Sequence, residues 1–317
     1  MHAIEPSPAP VSILIVVVLY KCEFAKSQAL TSILQILKTD PELADHFSLI
    51  LYDNSPERLN QNPVGTVPLL YVHDPSNSGL AVAYNFALAR AELQGSEWIL
   101  LFDQDTKATR KFLLELVVSA TNLRDVANVA AIVPKLLVNG IVHSPATHFL
   151  DVLRRQFSTP APNTYNSLVG IQEDRLNFYN SASTLRVSTL RSIGAFPTEF
   201  WLDYLDHTVF HTLFVNGYRV YVLNASLEHD QSDADLTDVS ALRHRNVLRA
   251  QTLFVKRAGN LVDRTLYRVW LLRYSRKLRS LCKDRRVWRE TALQALRLRI
   301  GTPSATSEKG PTIVRIC

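Results

Sequence analysis

The chain is poor in cysteine and has no long apolar run, and each of these absences excludes a class of protein. Its three cysteines, at positions 22, 282 and 317, are odd in number and far apart, which argues against both a disulfide framework and a zinc cluster. The longest apolar run covers positions 11–20 and is interrupted only by Ser12. A membrane-spanning helix needs about 20 such residues, so we interpret the run as a buried strand.

Targeting signals, glycine-rich phosphate motifs and repeats are also missing. The N-terminus carries Glu5 where a secretory signal has basic residues, so we expect a cytoplasmic protein. Neither GxxxxGK[ST] nor GxGxxG occurs, which removes support from the P-loop and dinucleotide-binding classes. We find no internal repeat.

The net charge of +6 conceals an uneven distribution along the chain. Residues 241–300 hold 17 Lys and Arg against three acids, a net charge of +14, and residues 301–317 add one positive charge. The first 240 residues therefore carry −9. We expect an acidic folded domain over 11–240 and a basic helical segment over 241–300, with tails at 1–10 and 301–317, the second of them flexible.

Short apolar runs alternate with segments of helical period, which is typical of a layered α/β fold with a mostly parallel sheet flanked by helices. The predicted strands are 11–19, 48–53, 68–72, 97–102 and 129–133. Aliphatic residues between 30 and 37 and between 80 and 91 have the spacing of amphipathic helices. A helix around 207–216 and a strand at 218–223 follow. In such folds the crossovers are right-handed, and ligands bind at the carboxyl ends of the strands.

Three successive predicted strands end in carboxylates and amides. Their ends are Asp53-Asn54-Ser55, the stretch 74–79 (DPSNSG) and Asp103-Gln104-Asp105. Two carboxylates one residue apart suit a hard divalent cation, although an exposed turn explains them as well. Asp53 also suits a simple turn.

Three other stretches carry candidate site residues, each with a structural alternative. Asn77 and Gly79 fit either a helix cap or a phosphate site at a helix N-terminus. In "FWLDYLDH", Asp203 and Asp206 share one face if the stretch is helical, and each could be a cap or, in an apolar wall, a general base. His229 follows a strand and is either a metal ligand or a packed histidine.

Together and in this order, these stretches resemble the inverting family-2 glycosyltransferases of the GT-A (Rossmann-like) fold, and within them the bacterial rhamnosyltransferase group. The resemblance runs from Val11 to about Asn246. The matching stretches are "SILIVVVLY", "YDNS", "NSGLAVAYNFAL", "FDQD", "NSASTLRVSTLRSIGAFPTEFWLDYLDH", "LEHD" and "RHRN".

The resemblance implies a role for each matched residue. "DQD" matches the DxD motif, in which Asp103 would face the ribose or the metal shell and Asp105 would ligate Mg²⁺ or Mn²⁺. His229 would complete the metal site, and Asp206 would be the catalytic base. The remaining implied residues are Asp53, Asn77, Gly79 and Gln104 on the nucleotide-sugar side and Trp201 and Asp203 on the acceptor side.

The implied function is an inverting, metal-dependent glycosyltransferase that moves L-rhamnose from dTDP-L-rhamnose onto a bacterial surface glycan or lipopolysaccharide. The alternatives are a UDP-hexose or UDP-galactofuranose donor, or a catalytically silent module that binds nucleotide-sugar. Residues 11–105 would form the nucleotide-sugar-binding half and 106–240 the acceptor-binding half. The chain departs from the family pattern on the acceptor side, for example at Ala182, where a glycine is usual, and at Thr208 and His211.

The basic segment 241–300 raises the question of a partner. Aromatic and basic residues alternate in "YRVWLLRYSRKLRSL", which favours peripheral contact with an anionic membrane surface, where lipid-linked glycan acceptors lie. Packing on the domain or on another subunit is the alternative. We expect no nucleic-acid partner, because no nucleic-acid motif accompanies the charge.

Overall fold

The apolar runs form the strands of a mixed sheet, and the segments of helical period form helices around it. The structure is a computed structural model, and it describes residues 10–59, 67–158, 165–229 and 240–298. The strands in these ranges are β1 (Ile13–Leu19), β2 (Phe47–Asp53), β3 (Leu69–His73), β4 (Trp98–Asp103), β5 (Val129–Val138), β6 (Ile141–Ser144), β7 (Ala146–Thr147), β8 (Gly170–Gln172), β9 (Leu176–Asn177), β10 (Thr184–Arg186) and β11 (Arg219–Glu228). The α-helices are α1 (Gln28–Thr39), α2 (Pro41–Ala44), α3 (Leu80–Gln94), α4 (Arg110–Asn122), α5 (Phe149–Arg154), α6 (Val187–Ser192), α7 (Leu205–Val215), α8 (Ala241–Ala258), α9 (Leu261–Leu281) and α10 (Arg285–Arg297).

The main sheet is mixed and mostly parallel, as the sequence predicts. Among the described residues it has nine strands in the order β3-β2-β1-β4-β10-β5-β11-β8, and β6 pairs with β5. Strands β1 to β5 and β11 run in one direction, while β6, β8 and β10 run in the other. The α/β class with helices around the sheet and a helical basic segment is therefore confirmed.

The order of the first four strands determines where a ligand crevice can form. The chain moves from β1 to β2 and β3 on one side, and then returns to β4 on the other side of β1. Because the connections leave β1 and β4 in opposite directions, a crevice opens between their carboxyl ends. The polar residues that follow β1 and β4 therefore lie where open α/β sheets bind ligands.

The central strands are buried on both faces, which explains their continuous apolar sequence. Every residue of β1 is buried. Its alternate residues Ile13, Ile15 and Val17 pack in one cluster with the apolar faces of α1 and α4. Helix α3 packs against β1 and β4 outside this cluster and so covers the other face. The sheet thus forms a firm base for the residues at its edge.

Strand β10 is inserted antiparallel between β4 and β5, a position that the sequence does not predict. Its last residue, Arg186, places its guanidinium 4.2 Å from the centre of the Trp98 ring. The same guanidinium donates hydrogen bonds to backbone carbonyls, including those of Leu123 and Val129. These contacts fix the short strand, which in turn positions residues 180–183 beside the end of β4.

The described residues divide into two compact units, one of 10–152 with 158–229 and one of 153–157 with 240–298. The second unit contains α8, α9 and α10, and each of these helices begins at a polar cap: Ser240, Asn260 and Asp284. Within it, the buried Asp263 carboxylate binds the Arg154 guanidinium, with 2.7 Å between Oδ1 and Nε. None of the helices in the described ranges has both the length and the apolar composition needed to cross a bilayer.

Some of the sequence expectations remain untested. The predicted tails lie outside the described residues, except for residue 10. The division of the domain into a nucleotide-sugar half (11–105) and an acceptor half (106–240) stays a prediction.

Candidate active site

The acidic residues that end β4 meet a histidine that follows β11. Candidate ligand atoms of Asp103, Asp105 and His229 all lie within 4.8 Å of one another. Asp105 Oδ1 is 3.7 Å from Nδ1 of His229. The backbone brings them together, because Thr106 and His229 form a β-bridge and the His229 N–H donates to the Leu137 carbonyl. Residues far apart in sequence thus form one polar cluster at the edge of the sheet.

A chain of hydroxyl groups fixes the histidine and the end of β4 relative to each other. The Asp103 N–H donates to Ser181 Oγ at 3.0 Å. Ser181 Oγ is 2.7 Å from Thr106 Oγ1, which is 2.7 Å from His229 Nδ1. Because both hydroxyls are buried, these hydrogen bonds are shielded from competing water and hold the imidazole in one orientation.

Ala182 adopts an unusual backbone conformation beside this chain. Its φ is +59°, in the left-handed region that favours glycine, and glycine is the residue that the family resemblance leads one to expect here. Its N–H donates to the Leu101 carbonyl at 2.7 Å. The backbone therefore keeps the glycine-like turn although the residue is alanine.

Negative charge is crowded at the end of β4. Burial, followed by repulsion from Asp105 and Asp206, raises the pKa of Asp103 to about 7. The hydroxyl of the fully buried Tyr84 opposes this shift, although it has no partner of standard hydrogen-bond geometry among the described residues. Carboxylates that lie this close together are an arrangement that a bound cation would stabilise.

Asp206 lies in the first turn of α7, where the helix dipole favours a carboxylate. Its Oδ1 accepts two hydrogen bonds from His207, one from the backbone N–H at 2.7 Å and one involving Nδ1 at 3.0 Å. After burial, its charge contributes to the raised pKa of Asp103 and of Tyr179, so it lies within electrostatic reach of both.

Asp203 and Asp206 would share a face only if the whole stretch were helical, and this condition is not met. The helix begins at Leu205, and Tyr204 before it has φ +61°, in the left-handed region. Asp203 therefore lies in the turn that precedes α7. The left-handed residue breaks the helical repeat, so the spacing of three residues no longer places the two carboxylates on one face.

Asn77 closes a turn with Asp74, Gly79 lies directly before α3, and Trp201 packs on this stretch. The Trp201 indole N–H donates to the Asn77 carbonyl at 2.8 Å, and the Leu80 N–H donates to the Trp201 carbonyl at 2.8 Å. A Cβ added at Gly79 would lie 2.4 Å from both Trp201 Cδ1 and the Trp201 carbonyl oxygen. The predicted nucleotide side and acceptor side are thus in direct contact through these residues.

Asp53, at the end of β2, is fully buried but well partnered. Its Oδ2 accepts a 2.6 Å hydrogen bond from the Tyr71 hydroxyl, and its Oδ1 accepts the Ser55 N–H at 2.9 Å. Burial and this bond to Asp53 raise the pKa of Tyr71 to about 12, so the phenol stays a donor.

Gln104 connects the motif to neighbouring elements instead of projecting freely from it. Its side-chain Oε1 accepts the Tyr20 N–H at 2.9 Å, just after β1. Its carbonyl accepts from Ser27 Oγ at 3.1 Å, at the cap of α1. These bonds hold the Asp103–Asp105 turn at the switch point between β1 and β4.

Several residues that contact the candidate site residues are absent from the sequence-based predictions, among them Tyr71, Thr106, Ser181 and His207. Thr106 directly follows the acidic pair, and His207 directly follows Asp206, so adjacency was an available signal for these two. Tyr71 and Ser181 contribute through contacts between distant parts of the chain, which sequence spacing does not reveal.

Comparison with known proteins gives only distant likeness. No protein-family model matches the chain, and no curated protein matches it. Among solved structures it is similar to three crystal structures of S. aureus TarS 1–349. One has no named ligand (14% identity, TM-score 0.49, 90% of this chain and 89% of that chain). The second is a complex with UDP (12%, 0.48, 90% and 88%), and the third a complex with UDP-GlcNAc (12%, 0.46, 90% and 89%). At TM-scores below 0.5 this likeness assigns no function.

Proposed function

We propose that this chain is a metal-dependent, inverting glycosyltransferase that uses a nucleotide-sugar donor. The observation that carries the proposal is the cluster of Asp103, Asp105 and His229 at the switch point of the sheet. Asp206 belongs to the same cluster, since its charge raises the pKa of Asp103. Ligands for a cation and a separate carboxylate base, side by side in a crevice, are the groups that sugar transfer from a diphosphate requires.

The residues present fit Mg²⁺ or Mn²⁺. We propose that Asp105 and His229 hold the ion and that Asp103 faces the ribose or the metal shell. Besides burial, repulsion from Asp105 and Asp206 raises the pKa of Asp103; this repulsion supports the assignment, because a cation would relieve it. When bound, the ion acts as a Lewis acid that offsets charge on the departing diphosphate.

On the donor side, we propose that the nucleotide-sugar contacts Asp53, Asn77, Gly79, Asp103 and Gln104. The partners of Asp53 support its role, since two hydrogen bonds already orient its carboxylate at the end of β2. The place of Asn77 and Gly79 directly before the N-terminus of α3 supports their role, because the helix dipole favours an anionic group there.

On the acceptor side, we propose Asp206 as the general base, with Trp201 and Asp203 nearby as acceptor contacts. Asp206 takes the proton of the acceptor hydroxyl, whose oxygen bonds to the anomeric carbon on the face opposite the diphosphate. The bond between that carbon and the diphosphate oxygen breaks, and the nucleoside diphosphate leaves with the electron pair. A single displacement inverts the anomeric configuration.

We propose dTDP-L-rhamnose as the donor and a bacterial surface glycan or lipopolysaccharide as the acceptor. The support is the resemblance of the quoted sequence stretches to bacterial rhamnosyltransferases. A UDP-hexose or UDP-galactofuranose is the alternative donor, because donor choice depends on a few pocket side chains whose preference no motif states.

We further propose that the basic segment 241–300 contacts the anionic cytoplasmic face of a membrane, where a lipid-linked acceptor lies. Trp288 has the guanidinium groups of Arg279 and Arg289 each 5.4 Å from its ring centre. Exposed leucines stand among the cations, including Leu293 and Leu296 on α10. Interleaved cationic and apolar side chains are the composition that binds interfaces.

The decisive experiment incubates the purified chain with Mg²⁺ or Mn²⁺ and a panel of dTDP- and UDP-sugars. We expect one donor to raise the melting temperature and to release nucleoside diphosphate slowly to water, with both responses lost in EDTA. Asp206→Asn should keep the thermal response and lose turnover. Binding without turnover, unchanged in Asp206→Asn, would support a silent nucleotide-sugar-binding module. No response to any nucleotide-sugar would refute the proposal.

A further inference from the structure

Among the residues that the structure describes, Asp206 accepts hydrogen bonds through one of its two oxygens only. Both hydrogen bonds from His207 go to the same oxygen, Oδ1, from the backbone N–H and from the ring. The two side chains are about four-fifths buried, with 18% and 21% exposure. A carboxylate held through one oxygen keeps the other, Oδ2, for a further partner.

The contact with Asp206 also determines which nitrogen of His207 carries a proton. An ionised carboxylate is an acceptor only, so Nδ1 must donate. In the neutral ring the proton is then on Nδ1, and the ring plane follows the carboxylate. His207 thus fixes the rotation of the Asp206 side chain.

Aromatic side chains hold the His207 ring in this orientation. The Tyr204 ring centre is 4.4 Å from that of His207, and the two planes are tilted by 39°. The edge of Phe149 meets His207 at 6.4 Å between ring centres. Tyr204 reaches this place because its left-handed backbone (φ +61°) turns the chain into α7. Such strain persists where the surrounding structure fixes it, commonly at functional sites.

We propose that His207 is the positioning residue of the base: it holds Asp206 through Oδ1 so that Oδ2 receives the proton of the attacking hydroxyl. The inference depends on the proposed function, in which Asp206 is the base. No bond to His207 forms or breaks, and the proton moves from the acceptor oxygen to Oδ2. Positioning of this kind affects the rate of the chemical step more than donor binding.

Three substitutions separate the hydrogen bond from the packing. His207→Phe keeps a ring against Tyr204 and Phe149 but loses the donor. His207→Asn keeps a donor near the place of Nδ1 but loses the ring, and His207→Gln places its donor farther out. The probe is donor hydrolysis with Mn²⁺, with water as the acceptor and the nucleotide-sugar that gives the strongest thermal response.

We expect His207→Phe and His207→Gln to lower kcat by about 10- to 100-fold, the usual cost of losing a hydrogen bond that orients a reactive group. Their KM for the donor should stay within about twofold, and His207→Asn should recover most of kcat. Melting temperatures show whether each variant is folded. If His207→Phe is unstable, the comparison of kcat between His207→Asn and His207→Gln tests the inference by itself. Wild-type kcat in both Phe and Gln variants, or equal loss in Asn and Gln, would overturn the inference.

The test also distinguishes failure of the inference from failure of the proposed function. If Asp206→Asn abolishes hydrolysis while the His207 variants do not, Asp206 is the base and His207 does not position it. If Asp206→Asn hydrolyses the donor as wild type does, the assignment of the base is wrong, and the role of His207 is wrong with it.

Discussion

The carboxylates at the ends of β2 and β4 lie at the same edge of one sheet, yet their surroundings are opposite. Asp53 is fully buried and has a hydrogen-bond donor on each oxygen. Burial, followed by repulsion from Asp105 and Asp206, raises the pKa of Asp103 to about 7. The fold provides donors to the first carboxylate and like charges to the second.

This difference has opposite consequences for folding stability at the two strand ends. A buried carboxylate with its own donors contributes to stability, because its removal leaves those donors unpaired. Carboxylates that repel one another reduce stability and persist where a ligand compensates them. Asp74, after β3, is only partly buried but also has donors of its own: burial opposes ionisation, and hydrogen bonds from Ser76 and Ser78 outweigh it and lower the pKa to about 2.

The largest expected effect is on catalysis, at the acidic residues that follow β4. Asp105→Asn should lower turnover of the donor by at least about 100-fold, the usual cost of removing one preorganised electrostatic group. Nucleoside diphosphate release with saturating Mn²⁺ measures it. Asp45→Asn, which removes an exposed acid after α2, is the matched control and should retain wild-type turnover. Equal activity in the two variants would contradict the assignment of the metal site.

A second test addresses Gly79, which lies between β3 and α3. Gly79→Ala should destabilise the protein by about 1–3 kcal/mol more than Gly95→Ala, because only the first overpacks. Both glycines flank α3 and have positive φ, but a Cβ at Gly95 meets nothing within 4 Å. Urea denaturation of both variants gives the difference. Similar losses would mean that backbone strain alone matters at Gly79.

The donors of Asp53 should contribute measurably to folding. Tyr71→Phe should cost about 1–3 kcal/mol of unfolding free energy, since it leaves a buried carboxylate oxygen without its phenolic donor. Tyr52→Phe is the matched control, because its hydroxyl reaches Asp74 only at 3.4 Å, and it should cost less. A larger loss of stability in Tyr52→Phe than in Tyr71→Phe would contradict the view that Asp53 is stabilised by its own donors.

Removing a negative charge at the end of β4 should stabilise the protein, whereas the two preceding substitutions should destabilise it. Asp103→Asn should raise the free energy of unfolding by about 1 kcal/mol at pH 8 in EDTA, the Coulomb energy of one close pair of like charges in water. Added Mn²⁺ should reduce this difference in unfolding free energy, because it should stabilise wild type more than the variant. A destabilised Asp103→Asn would show that this carboxylate is structural after all.

The smallest effect is expected at Ala182, the second tight turn near the site. Ala182→Gly relieves left-handed strain of about 1–2 kcal/mol, but it loses a buried methyl group worth about 0.8 kcal/mol and adds about 0.5–1 kcal/mol of backbone entropy cost. The balance is close to zero, and thermal melts should differ by little. A large gain would mean that the methyl group contributes nothing to the packing.

The sequence predicts the sheet well because the signal is local. Apolar runs give the strands to within about two residues at most ends, and β5 and β11 extend beyond their predicted bounds. The insertion of β10 is missed because its three residues carry too little pattern, and its pairing depends on distant strands. Helix α4 was not assigned either, although its apolar residues pack on β11 and β5.

In the candidate site, too, the residues with a local sequence signal could be predicted, and those placed by contacts between distant segments could not. Asp103 and Asp105 can be selected because they interrupt an apolar run, and their proximity to His229 agrees with the implied metal site. The partners that orient these groups, such as Ser181 and Tyr71, come from other strands. The shared helical face of Asp203 and Asp206 fails because one backbone angle, at Tyr204, overrides the spacing.

The contact between Trp201 and Gly79 has a consequence for inheritance. The indole and the carbonyl of Trp201 occupy the space that any side chain at position 79 would need. A smaller residue at 201 would remove the indole but would leave its carbonyl, and the positive φ at 79, in place. A descendant could therefore gain a larger residue at 79 only after the backbone around 201 had moved, so glycine at 79 and this local backbone should be inherited together.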